Sequence, residues 1–167
     1  QNLRYSWGEL AEVVEDCARG LLALGLLPGD RVSIWAPNCA EWCIAQFATA
    51  KVGAILVNIN PAYRANELAF ALKHSGCKGL VAARRFKTSD YVQMLGMVRD
   101  QCPALSEVIF LDEEGQAGDW ARLLADGEST APGAVAERMA TLKPHDPINI
   151  QYTSGTTGAP KGATLSH

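Results

Sequence analysis

A chain of 167 residues, 48% hydrophobic and 20% charged, is long enough for one domain with its own core. Its net charge of -3 supplies no global positive field to hold nucleic acid or an anionic membrane. Five cysteines at scattered spacings, without a CxxC pair, argue against a disulfide framework and for buried thiols in a reducing compartment. Cys39 and Cys43 could share a metal from one helix, yet no second Cys or His pair stands near them. Lys51 interrupts the best apolar run, so no segment reads as a membrane span.

In chain order, Ser6 and Glu9 form an S-x-x-E capping box, with Tyr5 placed to staple onto Leu10. Leu10, Val13, Val14, Cys17, Leu21 and Leu24 recur at helical spacing until Leu27-Pro28-Gly29-Asp30 ends the helix. Arg31–Ala36 reads as a strand. Asn38 is the expected cap of a second helix whose face carries Cys43, Phe47 and Ala50 and which stops at Gly53. Ala54–Ile59, apolar almost throughout, suits a strand covered on both faces. A helix over Ala65–Ser75 stops at Gly76. A strand follows over Lys78–Ala83, then a helix capped by Thr88 or Ser89 and running to Gln101.

Glu107–Leu111 is a further strand and Asp112–Gly118 an acidic loop. Asp119 opens a short helix, 127–133 reads as a linker, and a weaker helix spans Ala134–Leu142. Ile148–Tyr152 is a last strand running into small polar residues. This alternation predicts an α/β fold: a mostly parallel sheet with helices on both faces. Ligands of such sheets sit beyond the carboxyl ends of strands, which is where the segment after Tyr152 falls.

That segment is Thr153-Ser-Gly-Thr-Thr-Gly-Ala-Pro-Lys-Gly162. Four of its ten residues carry hydroxyls, three are glycine, and one is lysine. Gly155 and Gly158 let backbone N–H groups converge on an anion. Thr153, Ser154, Thr156 and Thr157 can donate to phosphate oxygens, and Lys161 brings a full charge. At about 4 Å and an effective dielectric near 20, that charge is worth roughly 4 kcal/mol before desolvation. Pro160 stiffens the approach to Lys161. A polyphosphate is the ligand that suits the set. The P-loop of the common NTPases is excluded, because Pro160 replaces the glycine before lysine and Gly162 stands where Ser or Thr is needed.

Tyr152–Gly162 resembles the signature of the adenylate-forming (AMP-binding) superfamily of acyl-CoA synthetases, luciferases and peptide-synthetase adenylation domains. Pro37–Asn38, Gly53–Pro61 and Asp146–His167 are similar to the same family's N-terminal domain. The stretches NINPAYRANELAFALKHSGCKGLV and PHDPINIQYTSGTTGAPKGATLSH resemble its medium-chain acyl-CoA synthetase branch most. The resemblance implies that residues 1–167 are the N-terminal portion of one AMP-binding domain, ending just after the phosphate-binding loop, with its sheet incomplete and no separate second domain. It implies activation of a carboxylic, fatty, acid by ATP with Mg2+ and transfer of the acyl group to coenzyme A. Thr153, Ser154, Gly155, Thr156, Thr157, Gly158, Pro160 and Lys161 would hold the β- and γ-phosphates. No catalytic or metal-binding residue is expected within the fragment, which alone would be inactive.

An adenylation domain loading a carrier protein and a non-catalytic nucleotide-binding fragment are the alternatives. The expected location is cytoplasmic, or the mitochondrial matrix if a targeting segment precedes Gln1. Outside the loop, His74 is read as a charge partner for its helix C-terminus, and His145 with Asp146 as a turn. Arg84-Arg-Phe-Lys87 reads as a basic turn in solvent, with the phosphates of coenzyme A as its functional alternative. The four tryptophans read as packing residues.

Overall fold

A computed structural model describes residues 3–113, 118–153 and 160–167. Helix α1 (Trp7–Ala23) opens on the expected capping box: Glu9 N–H donates to Ser6 Oγ, and Ser6 N–H donates to the Glu9 carboxylate at 2.7 Å. It ends one turn earlier than the sequence pattern suggests, because Leu24 is the cap and Gly25 turns the chain at φ +73°. Strand β1 (Arg31–Trp35) leads to α2 (Ala40–Val52), and β2 (Ile55–Asn58) leads to α3 (Ala65–Ser75). Gly53 and Gly76 terminate the two helices in the left-handed region, φ 74° and 61°, as expected of them.

Strand β3 (Gly79–Ala82) is followed by a two-residue-per-strand hairpin, β4 (Arg85–Phe86) and β5 (Ser89–Asp90). This hairpin takes up Ser89 and displaces the cap of α4 (Tyr91–Val98) to Asp90, whose carboxylate accepts from Gln93 N–H at 2.9 Å. A 3-10 turn (Arg99–Gln101) completes that helix before β6 (Glu107–Phe110). Asp112, expected only as part of an acidic loop, caps α5 (Asp119–Asp126) from outside, accepting from Trp120 and Ala121 N–H. Residues 127–133 are not a free linker. Gly127–Ser129 is a 3-10 turn packed on α1, and Thr130 Oγ1 donates to Arg19 O at 2.9 Å. A Cβ on Gly20 would meet Leu123 O at 2.2 Å, and one on Gly127 would meet Gly20 N at 2.7 Å, so both must be glycine for the segments to touch. Helix α6 (Ala134–Ala140), two residues shorter than expected, precedes β7 (Pro147–Thr153) and β8 (Lys161–Ser166).

The sheet runs β6-β3-β1-β2-β7-β8, parallel throughout except for β8, which returns antiparallel to β7. Successive residues of β1 point into opposite layers. Val32 and Ile34 join α1, α2, α5 and α6 in one core, while Trp35 joins α3 and α4 in the other. The mostly parallel α/β sheet with helices on both faces is therefore the architecture of the chain.

Helix α2 corrects the sequence reading. Its cap is Cys39 rather than Asn38, with no side-chain hydrogen bond, and its buried face is Ile44, Ala45, Ala48, Thr49 and Val52. Cys43 and Phe47 look outward, Phe47 at 53% exposure. Phe47, Met139, Leu142, Pro144 and His167 line a shallow apolar depression of about 460 Å³ between α2 and α6.

Candidate phosphate-binding site

Strand β7 lies parallel to β2, with Leu56 opposite Asn149 and Asn58 opposite Gln151. Its carboxyl end therefore opens on the same sheet edge as those of β1, β2 and β3, where ligands of parallel sheets bind. A half-buried amide string ties it there: Asn58 Nδ2 donates to Asn149 Oδ1 at 3.3 Å, and Asn149 Nδ2 donates to Gln46 Oε1 at 3.1 Å.

The loop leaves β7 and returns along β8. Its two ends are fixed together, since Tyr152 pairs with Gly162 and Thr153 with Lys161 across the antiparallel ladder. Thr153 Oγ1 donates to Lys161 O at 3.4 Å. Thr153 and Lys161 are exposed and Pro160 is half-buried. Of the residues that sequence assigns to phosphate, Ser154, Gly155, Thr156, Thr157 and Gly158 lie outside the described residues. Thr153 and Lys161, the outermost hydroxyl and the single cation of the segment, stand side by side at the carboxyl edge. That donor set fits a polyanion. Among the described residues no three or more His, Cys, Asp or Glu side chains gather to hold a metal ion.

Behind β7, Tyr152 packs on the last turn of α3. Its hydroxyl lies 2.9 Å from His74 Nδ1 and 3.3 Å from Ala71 O. Burial raises the phenol's pKa above its usual value, so it stays protonated. His74 therefore bonds a strand residue 78 positions away instead of serving only its own helix terminus. The sequence carries no signal for this, because the two residues meet only once the sheet is assembled. His145 and Asp146 behave as expected: Lys143 N–H donates to the Asp146 carboxylate at 2.8 Å, closing the turn into β7.

A second opening of about 560 Å³ lies at the same edge, beyond β1, β3 and β6, lined by Asn38, Cys39, Glu41, Arg84, Arg85 and Asp112 among others. As expected of a basic turn, Arg85 and Lys87 are exposed, while Arg84 is half-buried. Arg84 sits over the Phe110 ring at 5.2 Å, and Arg85 faces Glu113 at 3.8 Å. All five cysteines are free thiols, and burial pushes that of Cys17 up to about 12. No helix among the described residues is long and apolar enough to cross a membrane.

The sequence matches the family of AMP-binding enzymes over residues 1–167. The mitochondrial medium-chain acyl-CoA ligase ACSF2 of Bos taurus is 43% identical, the match covering 100% of this chain and 30% of that protein. The inhibitor-bound crystal structure of the N-terminal domain of FACL13 from Mycobacterium tuberculosis superposes with a TM-score of 0.81 at 30% identity, covering 99% of this chain and 38% of the other. A fatty acyl CoA synthetase of the same organism gives 0.79 at 28% identity, over 98% of this chain and 29% of that one. The chain thus spans about 30% of the length of the curated relatives it matches. With its family matched from first residue to last and its fold shared with ligases of that family, the chain belongs to the AMP-binding enzymes.

Proposed function

We propose that the chain is part of one AMP-binding domain of an ATP-dependent acid–thiol ligase, and that residues 153–161 hold the β- and γ-phosphates of ATP. The observation that carries this is the pairing of Thr153 with Lys161 at the carboxyl edge of the sheet, which closes a loop of hydroxyls and glycines beside one ammonium group. In the reaction a carboxylate oxygen attacks the α-phosphorus of ATP, and the bond to pyrophosphate breaks. A thiol then gives up its proton, its sulfur attacks the acyl carbon, and AMP leaves with the bonding pair.

The residues of this chain act on the leaving pyrophosphate. Lys161 offsets its growing charge, while Ser154, Thr156 and Thr157 donate hydrogen bonds to it, joined by Thr153 once its hydroxyl turns from Lys161 O to the phosphate. Gly155 and Gly158 admit the backbone, and Pro160 restricts the approach to Lys161. Magnesium travels with the triphosphate and supplies further charge neutralisation there. Coenzyme A is the proposed thiol and a fatty acid the proposed carboxylate, in keeping with the acyl-CoA ligases among the relatives. Five free thiols suit a reducing compartment, the cytoplasm or the mitochondrial matrix.

Lys161→Ala in the full-length protein is expected to slow carboxylate-dependent ATP–pyrophosphate exchange about a hundredfold. Thioester formation from supplied acyl-adenylate should change far less; equal losses in the two half-reactions would count against the assignment. A carrier-loading enzyme would instead acylate a phosphopantetheinyl protein in preference to coenzyme A. A non-catalytic nucleotide-binding module would gain thermal stability with ATP and show no exchange at all.

A further inference from the structure

Thr153 and Lys161 stand on a ribbon with little else to hold it among the described residues. Five of the six residues of β8 are exposed, and beyond β8 the sheet has no further strand among the described residues. Among those residues, the aim of Thr153 and Lys161 relative to the rest of the sheet comes through β7. One residue before the loop, Tyr152 supplies such a fixture.

Its ring is held on two sides. Across the ladder lies Gly162, where an added Cβ would come within 3.7 Å of the Tyr152 ring and 3.0 Å of Ile150 Cγ2. On the other side stands the last turn of α3. Phe70 and His74 stack on each other with centroids 5.2 Å apart and 14° between planes. Tyr152 meets both edge-on, at 6.2 Å and 5.9 Å. The hydroxyl then fixes the ring's depth. Ala71 O can only accept, and it also accepts from Ser75 Oγ. The phenolic hydroxyl, able to donate and accept, bonds both that carbonyl and His74 Nδ1, and the imidazole tautomer sets the direction of the second bond. Because side chains alternate along a strand, a grip on Tyr152 from one face prevents the ribbon from rolling and so sets the direction of Thr153 on the other.

We propose that Tyr152 and His74 are positioning residues for nucleotide, a hydrogen-bonded pair that holds the β7–β8 ribbon against α3 and so aims Thr153 and Lys161 at the triphosphate. The proposal rests on that loop being the triphosphate site. Neither side chain touches the reacting atoms. Loss of the pair lets the ribbon roll, which weakens ATP binding and leaves the acid and thiol steps unchanged.

The test uses the full-length protein with Tyr152→Phe, His74→Ala, His74→Gln and the Tyr152→Phe/His74→Ala double variant, alongside Lys161→Ala. Tyr152→Phe and His74→Ala should each raise the KM for ATP in pyrophosphate exchange about three- to tenfold, the factor that one lost hydrogen bond supplies. The double variant should fall well short of the combined single effects, because the two residues share one bond. His74→Gln, which keeps a side-chain N–H donor, should return within about twofold of the parent by the same measure. The KM for the carboxylic acid and the rate of thioester formation from acyl-adenylate should stay unchanged. A fall in thermal midpoint with no change in the KM for ATP makes the pair merely structural and overturns the proposal, as does full additivity of the two single effects. If Lys161→Ala abolishes exchange while Tyr152→Phe behaves as the parent, only the positioning role falls. If Lys161→Ala is itself silent, the assignment of the loop falls and takes this role with it.

Discussion

At the centre of the sheet every residue of β3 is buried, as are Val32 to Trp35 of β1. At its edge, β8 exposes Lys161, Ala163, Thr164, Leu165 and Ser166, and β7 alternates between exposed and covered positions. The two regions belong to one hydrogen-bonded sheet yet answer to different constraints. A strand covered on both faces must be apolar along its length, and its stability comes from the two cores that close over it. A strand that has lost its cover can carry threonine, lysine and glycine without burying an unpaired polar group. The proposed phosphate site lies where packing demands least of the sequence, and the middle of the sheet provides the packed support that the edge lacks.

Substitutions separate the two regions by size of effect. Trp35→Ala should be the most damaging, since the ring is fully buried and stacks on Tyr91 with planes 5° apart. A loss of about 3–5 kcal/mol is expected in denaturant unfolding. Trp35→Phe should cost well under half of that, because Trp35 Nε1 finds no acceptor among the described residues and its removal forfeits no hydrogen bond. A loss from Trp35→Ala no larger than that of a surface change would erase the distinction drawn here.

Gly20→Ala comes next, at about 1–3 kcal/mol, because the new methyl would press on the Leu123 carbonyl, a backbone atom with nowhere to retreat. Gly8→Ala on the same helix, with its nearest neighbour 3.9 Å away, should instead stabilise by about 0.4–1 kcal/mol. The opposite signs, read as shifts in melting midpoint, would isolate the close approach from helix propensity. Leu165→Lys at the edge should be the mildest, within about 0.5 kcal/mol of the parent, the side chain being 48% exposed. A large loss there would show that the ribbon is more tightly integrated than its exposure indicates.

Features with local causes were legible before folding was considered. Ser6 and Glu9 announce the start of α1, and Gly53 and Gly76 stop α2 and α3. Features decided by distant partners were not. Helix α2 carries apolar residues nearly all round, so Cys43–Phe47–Ala50 and Ile44–Ala48–Val52 compete as stripes, and only the position of the sheet selects the second. The hairpin Arg85–Asp90 forms by pairing two-residue strands too short to leave a periodic pattern, and it moves the cap of α4 to Asp90. The place of β7 beside β2, and of Tyr152 against His74, depends on pairings that leave no mark on either segment alone. At the site, the ends Thr153 and Lys161 can be compared with the sequence reading, while the residues between them lie outside the described set.

The amide bridge from Asn58 to Asn149 spans 91 residues of chain, and the β2–β7 ladder beside it joins equally distant segments, whereas β1 pairs with β2 and β3 over much shorter separations, Arg31 with Ile55 and Val32 with Gly79. Contacts of such separation carry a larger loop-closure penalty and tend to form late. Docking of β7 is thus expected to come late among the pairings described, and the proposed nucleotide, which needs the docked ribbon, would ignore a sheet on which β7 had yet to settle.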